Sequence, residues 1–448
     1  MDKEDNITGG SLQVEPASPQ NGGAGPEKDL ESAHTIGHDS FGQLGLLLIT
    51  SFNCGYILSF SNLMLVPLGW IWGVISLILV GLITFYANWL LAEFHFVDGK
   101  RFIRYRDLMG HLFGRKMYYV TWVLQFSILI LGNMGFLLLG GKALKEIDSQ
   151  FSDSPLRLQY FVVITGVSYF VFALLVPTLS SMRRWLGISM VLTFTYITIL
   201  LVVVFRDGRS NKDRNYDIIG SNNFSKVMNG FGAISAIIVC NTSGILPELQ
   251  STLCKPAIAN MKKALYLQYS VGLFFYYGVS IVGYWAYGSA VSTYLPEELS
   301  GPKWASIMIN AISFVQSIIS QHMFIAPIHE TLDTKFLRLD KSIHSRENIK
   351  NLLLLRAMVF TGNTLVTAAF PFMGDFVNLL GSFSLIPLTF VFPSMIYIKV
   401  KGKSTRLEKN VWHGGIIVLF SLLTIATTIS AIRSIVRNVR QYNLFADT

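Results

Sequence analysis

Between Ser40 and Ile432 the chain holds ten uninterrupted runs of 18 or more residues without an Asp, Glu, Lys or Arg. They cover residues 40–92, 117–141, 158–182, 185–205, 227–247, 264–296, 304–329, 357–374, 376–398 and 410–432, so all 63 formal charges fall in the remaining 180 residues. A hydrocarbon layer about 30 Å thick is crossed by about 20 apolar helical residues. The first run is 53 residues long and holds two crossings, divided near Pro67-Leu68-Gly69, which brings the total to eleven. Strands of a closed barrel alternate apolar and polar residues and would not give unbroken apolar runs. The expected fold class is therefore an all-α polytopic membrane protein with 11 transmembrane helices. Only 14% of the residues are charged, against about a quarter in an ordinary soluble domain.

The formal charge of +9 does not indicate a nucleic-acid partner, because the basic residues sit in short loops between spans. Loops after even-numbered spans carry 21 Lys and Arg, and loops after odd-numbered spans carry 9. Positive residues stay on the cytoplasmic side, which predicts a cytoplasmic N-terminus and an extracellular C-terminus. Arg433, Arg437 and Arg440, near the C-terminus, run against this pattern. The Asn223-Phe224-Ser225 sequon falls in an exterior loop under the same orientation. Cys54, Cys240 and Cys254 are odd in number and lie in or beside apolar spans, so free thiols are expected. Residues 1–40 are polar and rich in Gly, Ser and Pro, which predicts a disordered, retained cytoplasmic tail.

Eleven spans parse as five, five and one. An odd-numbered unit places its second copy upside down, the arrangement of inverted-repeat transporters. The corresponding expected segments are residues 41–205 and 206–398, with 399–448 holding the last loop, helix and tail. Spans 1 and 6 share a defect at matching depth: Thr50-Ser51-Phe52-Asn53-Cys54-Gly55 in one, and Cys240-Asn241-Thr242-Ser243-Gly244 followed by Pro247 in the other. Small polar residues and Gly loosen helical bonding, and Pro247 removes one bond. Two broken helices at the bilayer midplane are a pointer to a transport site.

A broken span offers free N–H groups at the start of one half and free C=O groups at the end of the other. The amides near Cys54, Gly55 and Tyr56 are expected to face a carboxylate, and the carbonyls of Val239, Cys240 and Asn241 a cation. Neither break contains an ionisable residue, so a zwitterion without net charge is the natural ligand. Aromatic residues at this level (Phe52, Tyr56 and Phe60, Trp122 and Phe126 in span 3, Phe314 in span 8) could surround a substituted ammonium group. Thr242, Ser243, Gly244, Ser51 and Asn53 complete the expected binding set. Glu248 lies roughly 10 Å beyond the span 6 break at 1.5 Å per residue and is a candidate for carrying a coupling proton or pairing with Arg356 as an inner gate. His322 in span 8 is a further proton-relay candidate. Glu93, Glu330 and Asp375 stand at span ends and are expected at the interface.

Gly244-Ile245-Leu246-Pro247-Glu248-Leu249-Gln250 and the following loop through Lys263-Ala264-Leu265 resemble the amino acid/auxin permease family. Ser51-Phe52-Asn53-Cys54-Gly55-Tyr56, Pro67-Leu68-Gly69-Trp70, residues 102–110 and Leu131-Gly132-Asn133-Met134-Gly135-Phe136 look like its plant proline transporter branch. The resemblance spans about residues 35–445. It implies the LeuT-like five-plus-five inverted repeat of the amino acid-polyamine-organocation superfamily with one extra helix. It also implies a plant plasma-membrane symporter coupled to protons, importing proline, glycine betaine and 4-aminobutyrate, with no cofactor and no obligate protein partner. The span 6 break departs from the aromatic and Gly-Gly pattern of many relatives. A general neutral amino acid permease of the same fold is the alternative; a membrane-embedded enzyme or a channel is disfavoured, because the eight histidines are scattered and no catalytic or metal-spaced cluster occurs.

Overall fold

A computed structural model describes residues 37–53, 56–176, 182–338, 341, 345–441 and 445; most of the expected N-terminal tail lies outside the described residues. Ten helices are long and apolar enough to cross a membrane. Spans 2 to 6 are Gly69–His95, Arg115–Ser149, Leu158–Leu175, Gly187–Ser210 and Asn223–Ser251. Spans 7 to 11 are Ala257–Ala290, Lys303–Phe336, Arg346–Ala369, Gly374–Lys401 and Leu407–Arg440. Ahead of them lie four apolar helical stretches, Phe41–Leu47, the π-helical Leu48–Asn53, Ile57–Phe60 and the π-helical Ser61–Leu65, referred to together as span 1. The architecture is thus helical and polytopic: among the described residues ten of the eleven expected crossings are full-length apolar helices, and the expected first is represented by shorter helical stretches.

Local chemistry explains the boundaries. Ser40 opens span 1 with a reciprocal cap: its hydroxyl accepts from the Gln43 N–H, and the Gln43 side chain accepts from the Ser40 N–H. The turn into span 2 passes through Gly69 at φ +67°, a backbone region that a residue without Cβ enters freely. Asn223 does not sit in a loop: Asn222 caps span 6 by accepting from the Ser225 N–H, so the sequon occupies the first turn of the helix and Ser225 is buried. After span 2 a two-residue hairpin, Phe96–Val97 against Lys100–Arg101, leads into the short helix Tyr105–Phe113.

Spans 3, 6, 8 and 10 form the centre; their apolar windows are 67 to 83% buried, against 28% for span 11. The packing carries the internal correspondence of a five-plus-five repeat. Span 3 lies against span 10 and span 8 against span 5; span 9 meets span 3 as span 4 meets span 8; span 1 meets span 7 as span 6 meets span 2. Exchanging each span for the one five places away in the other half, 1 for 6 through 5 for 10, converts one contact into its counterpart, and an odd repeat inverts the second copy. Span 11 stands outside this scheme and packs on spans 6 and 10.

In lipid no apolar solvent effect drives helices together, so close approach of small residues matters more. Gly166 of span 4 illustrates it: a Cβ there would lie 2.4 Å from the Thr364 hydroxyl and 2.6 Å from the Phe360 ring of span 9. Gly166→Leu should therefore separate spans 4 and 9 at a cost of about 1–3 kcal/mol, seen as a lower thermal midpoint in detergent. Gly187→Leu, where a Cβ meets nothing within 4 Å, should leave the midpoint unchanged.

Candidate functional site

Span 6 breaks where the sequence places the defect. Its helix ends at Asn241, Thr242 is extended (φ −147°, ψ 154°), Gly244 turns at φ +70°, and helix resumes over Leu246–Ser251. Pro247 occupies the first turn of the resumed half, where the helix has no use for its missing N–H. Gly244 is squeezed between spans 3 and 10: a Cβ would lie 2.6 Å from Ile128 and 2.7 Å from Leu385. The Thr242 hydroxyl donates to Asn88 Oδ1 of span 2 (3.4 Å) and accepts from the Thr389 hydroxyl of span 10 (3.5 Å). Ser243 is buried, and its hydroxyl has no hydrogen-bond partner among the described residues.

The carbonyls at this break are fewer than expected. The Asn241 carbonyl already accepts from Gln268 Nε2 (3.1 Å) and from the Tyr269 hydroxyl (2.7 Å), both on span 7. The Asn241 side chain is also committed, to the Ile237 carbonyl and the Tyr277 hydroxyl. Val239 and Cys240, the other two expected carbonyl positions, are both buried.

In span 1, Cys54 and Gly55 lie outside the described residues, and Ser51, Phe52 and Asn53 belong to the π-helical stretch before them. The first half ends on a bonded carbonyl too: Gln316 Nε2 of span 8 donates to Thr50 O (3.2 Å) and to the Ser189 hydroxyl of span 5 (2.8 Å). Past the break, Tyr56 is buried, stacks on Phe136 with centroids 4.6 Å apart, and donates its hydroxyl to the Gly132 carbonyl. Gly135 makes room for it, since a Cβ there would lie 2.7 Å from the ring. The Gly132 to Phe136 segment of span 3 is thus the seat of the second half of span 1.

A cavity of about 120 Å³ reaches the span 6 break from the face that carries the loops after even-numbered spans. Gln125, Phe126, Ile245, Glu248, Arg104 and Glu330 line it. Phe126 stacks on Trp122 at 5.3 Å in its wall. Glu248 Oε1 accepts from the Tyr105 N–H (2.9 Å) and from Gln125 Nε2 (3.0 Å), while buried Oε2 has no hydrogen-bond partner among the described residues. The Tyr105–Phe113 helix has no side-chain cap from its own neighbourhood, so Glu248 supplies both the acceptor and the negative charge that its N-terminus favours. The Tyr105 hydroxyl donates to the Leu388 carbonyl of span 10 (2.8 Å), so this helix bridges spans 6 and 10. Within it, burial pushes the Asp107 carboxyl up, against the pull of Arg104 and Arg106.

The structure does not bring Glu248 and Arg356 together. Buried Arg356 forms a bidentate pair with buried Asp333 of span 8 (2.7 and 3.0 Å). His322 is not solitary beside Gln321: it packs against Phe172 at 5.5 Å, His329 at 6.0 Å and Tyr169 at 6.3 Å, away from the cavity. Phe314 is half-buried and lines neither cavity described here. The span-end acids all have partners: Glu93 pairs with Lys262 and Lys401, Glu330 with Arg104, and Asp375 accepts from Asn438. No group of three or more potential metal ligands occurs among the described residues.

Residues 37–434 match the family described as transmembrane amino acid transporter protein. The chain belongs to that family. This transporter is 29% identical to GABA transporter 1 of Arabidopsis thaliana over 424 residues, covering 89% of this chain and 93% of the relative. It is 27% identical to lysine histidine transporter-like 1 of the same plant over 390 residues, covering 85% of this chain and 84% of the relative. A solved manganese transporter of Eremococcus coleocola aligns at 13% identity and a TM-score of 0.46, over 91% of this chain and 99% of that one. The transporter's polar residues that went unnoticed in the sequence (Gln125, Gln268, Tyr269, Gln316) share one signal: an amide or hydroxyl side chain within a charge-free span.

Replacing Gly135 with Leu should drive the Tyr56 ring from its seat and abolish uptake while membrane levels hold. Gly278→Leu, with nothing within 4 Å of its Cβ, should leave uptake unaffected. Radiolabelled uptake normalised to protein in the membrane measures both.

Proposed function

We propose that this transporter is a proton-coupled symporter of the plasma membrane that imports proline and related solutes, glycine betaine and 4-aminobutyrate among them, by alternating access. The observation that carries the reading is the span 6 break, whose own residues Asn241 to Gly244 carry backbone, hydroxyl and amide groups and no acidic or basic side chain. Such a lining suits a solute that is polar at both ends and neutral overall. The relative named as a GABA transporter supports a zwitterion without an α-amino acid requirement. The lysine- and histidine-named relative, at nearly equal identity, favours the broader reading of a general amino acid permease. In the proposed orientation the loops after even-numbered spans are cytoplasmic, so the Glu248 cavity is the inner one.

Glu248 is the group we assign to coupling. It faces the inner cavity and holds the Tyr105–Phe113 helix by accepting from its first N–H, so its protonation weakens a contact that closes the cytoplasmic side. The experiment is uptake of labelled proline into proteoliposomes with and without an inward proton gradient. The gradient is expected to raise the initial rate several-fold and to drive accumulation; simple equilibration that ignores the gradient would defeat symport. Glu248→Gln keeps an acceptor for the Tyr105 N–H but removes the titrating charge, and should flatten the pH dependence of uptake without loss of membrane insertion. Competition by proline, betaine, 4-aminobutyrate, lysine and histidine against one labelled solute separates the narrow reading from the general one.

A further inference from the structure

The larger cavity, about 410 Å³, opens on the face opposite Glu248. Its floor includes Ala233 of span 6, eight residues before Asn241 and thus about 12 Å from the break at 1.5 Å per residue. Below it spans 6 and 10 touch backbone to backbone, since a Cβ on Gly381 would lie 2.4 Å from the Ser235 carbonyl. The chamber is therefore an anteroom separated from the site.

Its charges are unevenly matched. Lys142, Arg433 and Arg437 face it against one carboxylate, Asp375. The Lys142 ammonium is neutralised locally, 3.7 Å from the Glu297 carboxylate and 3.3 Å from the Thr293 hydroxyl. Arg433 is not. Arg433 donates to the Ser225 hydroxyl (3.2 Å) and lies over the Phe224 ring at 5.4 Å, both neutral partners. Neither Arg433 nor Arg437 has an ion pair among the described residues. Asp375 interacts with the Arg437 charge from beyond ion-pair distance, and Asn438 Nδ2 donates to its Oδ2 at 2.8 Å, so it pairs with neither arginine directly. Across the chamber, the buried Asn378 Oδ1 has no hydrogen-bond partner among the described residues. One wall thus presents Arg433 with only neutral partners beside Arg437, whose single nearby acid is Asp375, and another presents an acceptor lacking a donor.

These arginines are also the residues that contradict the charge pattern of the loops, and they stand on span 11, which the repeat does not require. A ligand-binding role accounts for both facts. We propose that this anteroom is a capture site for the carboxylate of an incoming amino acid, with Arg433 and Arg437 as its anion contacts and Asn378 as an acceptor for the ammonium end. A planar guanidinium fork matches a carboxylate in two parallel hydrogen bonds. The assignment rests on the amino acid transport reading and on its orientation, which makes this face the outer one.

The test compares wild type with the double variant Arg433→Gln/Arg437→Gln and with Arg433→Lys/Arg437→Lys in labelled proline uptake. Loss of two half-exposed charge contacts should raise KM about five- to tenfold with Vmax within twofold, and the Lys pair should recover most of the affinity. Competition by prolinamide, which lacks the carboxylate, should be equally strong against wild type and the Gln pair. An unchanged KM overturns the site, and so does a parallel weakening of prolinamide, which marks structural damage. Replacing chloride with methanesulfonate distinguishes an inorganic anion: a wild-type KM that changes on the swap while the Gln pair's does not assigns the arginines to chloride and overturns the carboxylate. Wild-type protein that takes up no amino acid refutes the transport reading instead; the same comparison is then read from equilibrium binding of labelled proline to the purified proteins, where equal affinities overturn the capture site.

Discussion

A backbone carbonyl or amide in hydrocarbon must find a partner inside the protein, because no water is there to supply one. Every irregular feature of this bundle answers to that requirement. Breaking spans 1 and 6 frees polar groups at the depth where they are hardest to satisfy, and neighbouring helices respond with side chains: Gln316 for the Thr50 carbonyl, Gln268 and Tyr269 for that of Asn241. Spans 5, 7 and 8 are tied to the breaks by these bonds. A break is therefore not a local loosening but a junction that several helices must agree on.

The same economy of partners operates where the bundle meets water. Glu248 lies on the resumed half of span 6 and caps a helix 143 positions earlier in the chain. That helix in turn reaches span 10 through the Tyr105 hydroxyl. The short half-helix of span 6 and the Tyr105–Phe113 helix are thus joined through a carboxylate whose second oxygen remains uncommitted among the described residues.

The spans and the span 6 break were legible because both are written locally, one as missing charge, the other as Asn-Thr-Ser-Gly before Pro. Contacts between distant positions left no such trace. Pairing Glu248 with Arg356 was reasonable while span 8 was read as ending at His329, where the charge-free run stops. The helix continues to Phe336 and buries Asp333 against Arg356, so a residue that looked like loop is the true counter-ion. The surroundings of His322 were hidden for a related reason, since its neighbours Tyr169 and Phe172 come from span 4. For Cys54 and Gly55, at the heart of the span 1 defect, the described residues offer no comparison.

The occupied carbonyl of Asn241 has a consequence for selectivity. A primary ammonium brings three N–H donors out of water and needs an acceptor for each; a secondary one brings two, and a quaternary nitrogen none. With Gln268 and Tyr269 already on that oxygen, the break has less to offer each additional N–H. If the break receives the solute's nitrogen as proposed, alkylated nitrogens lose least on entering, and Gln268 and Tyr269 of span 7 would rank solutes by counting their hydrogens.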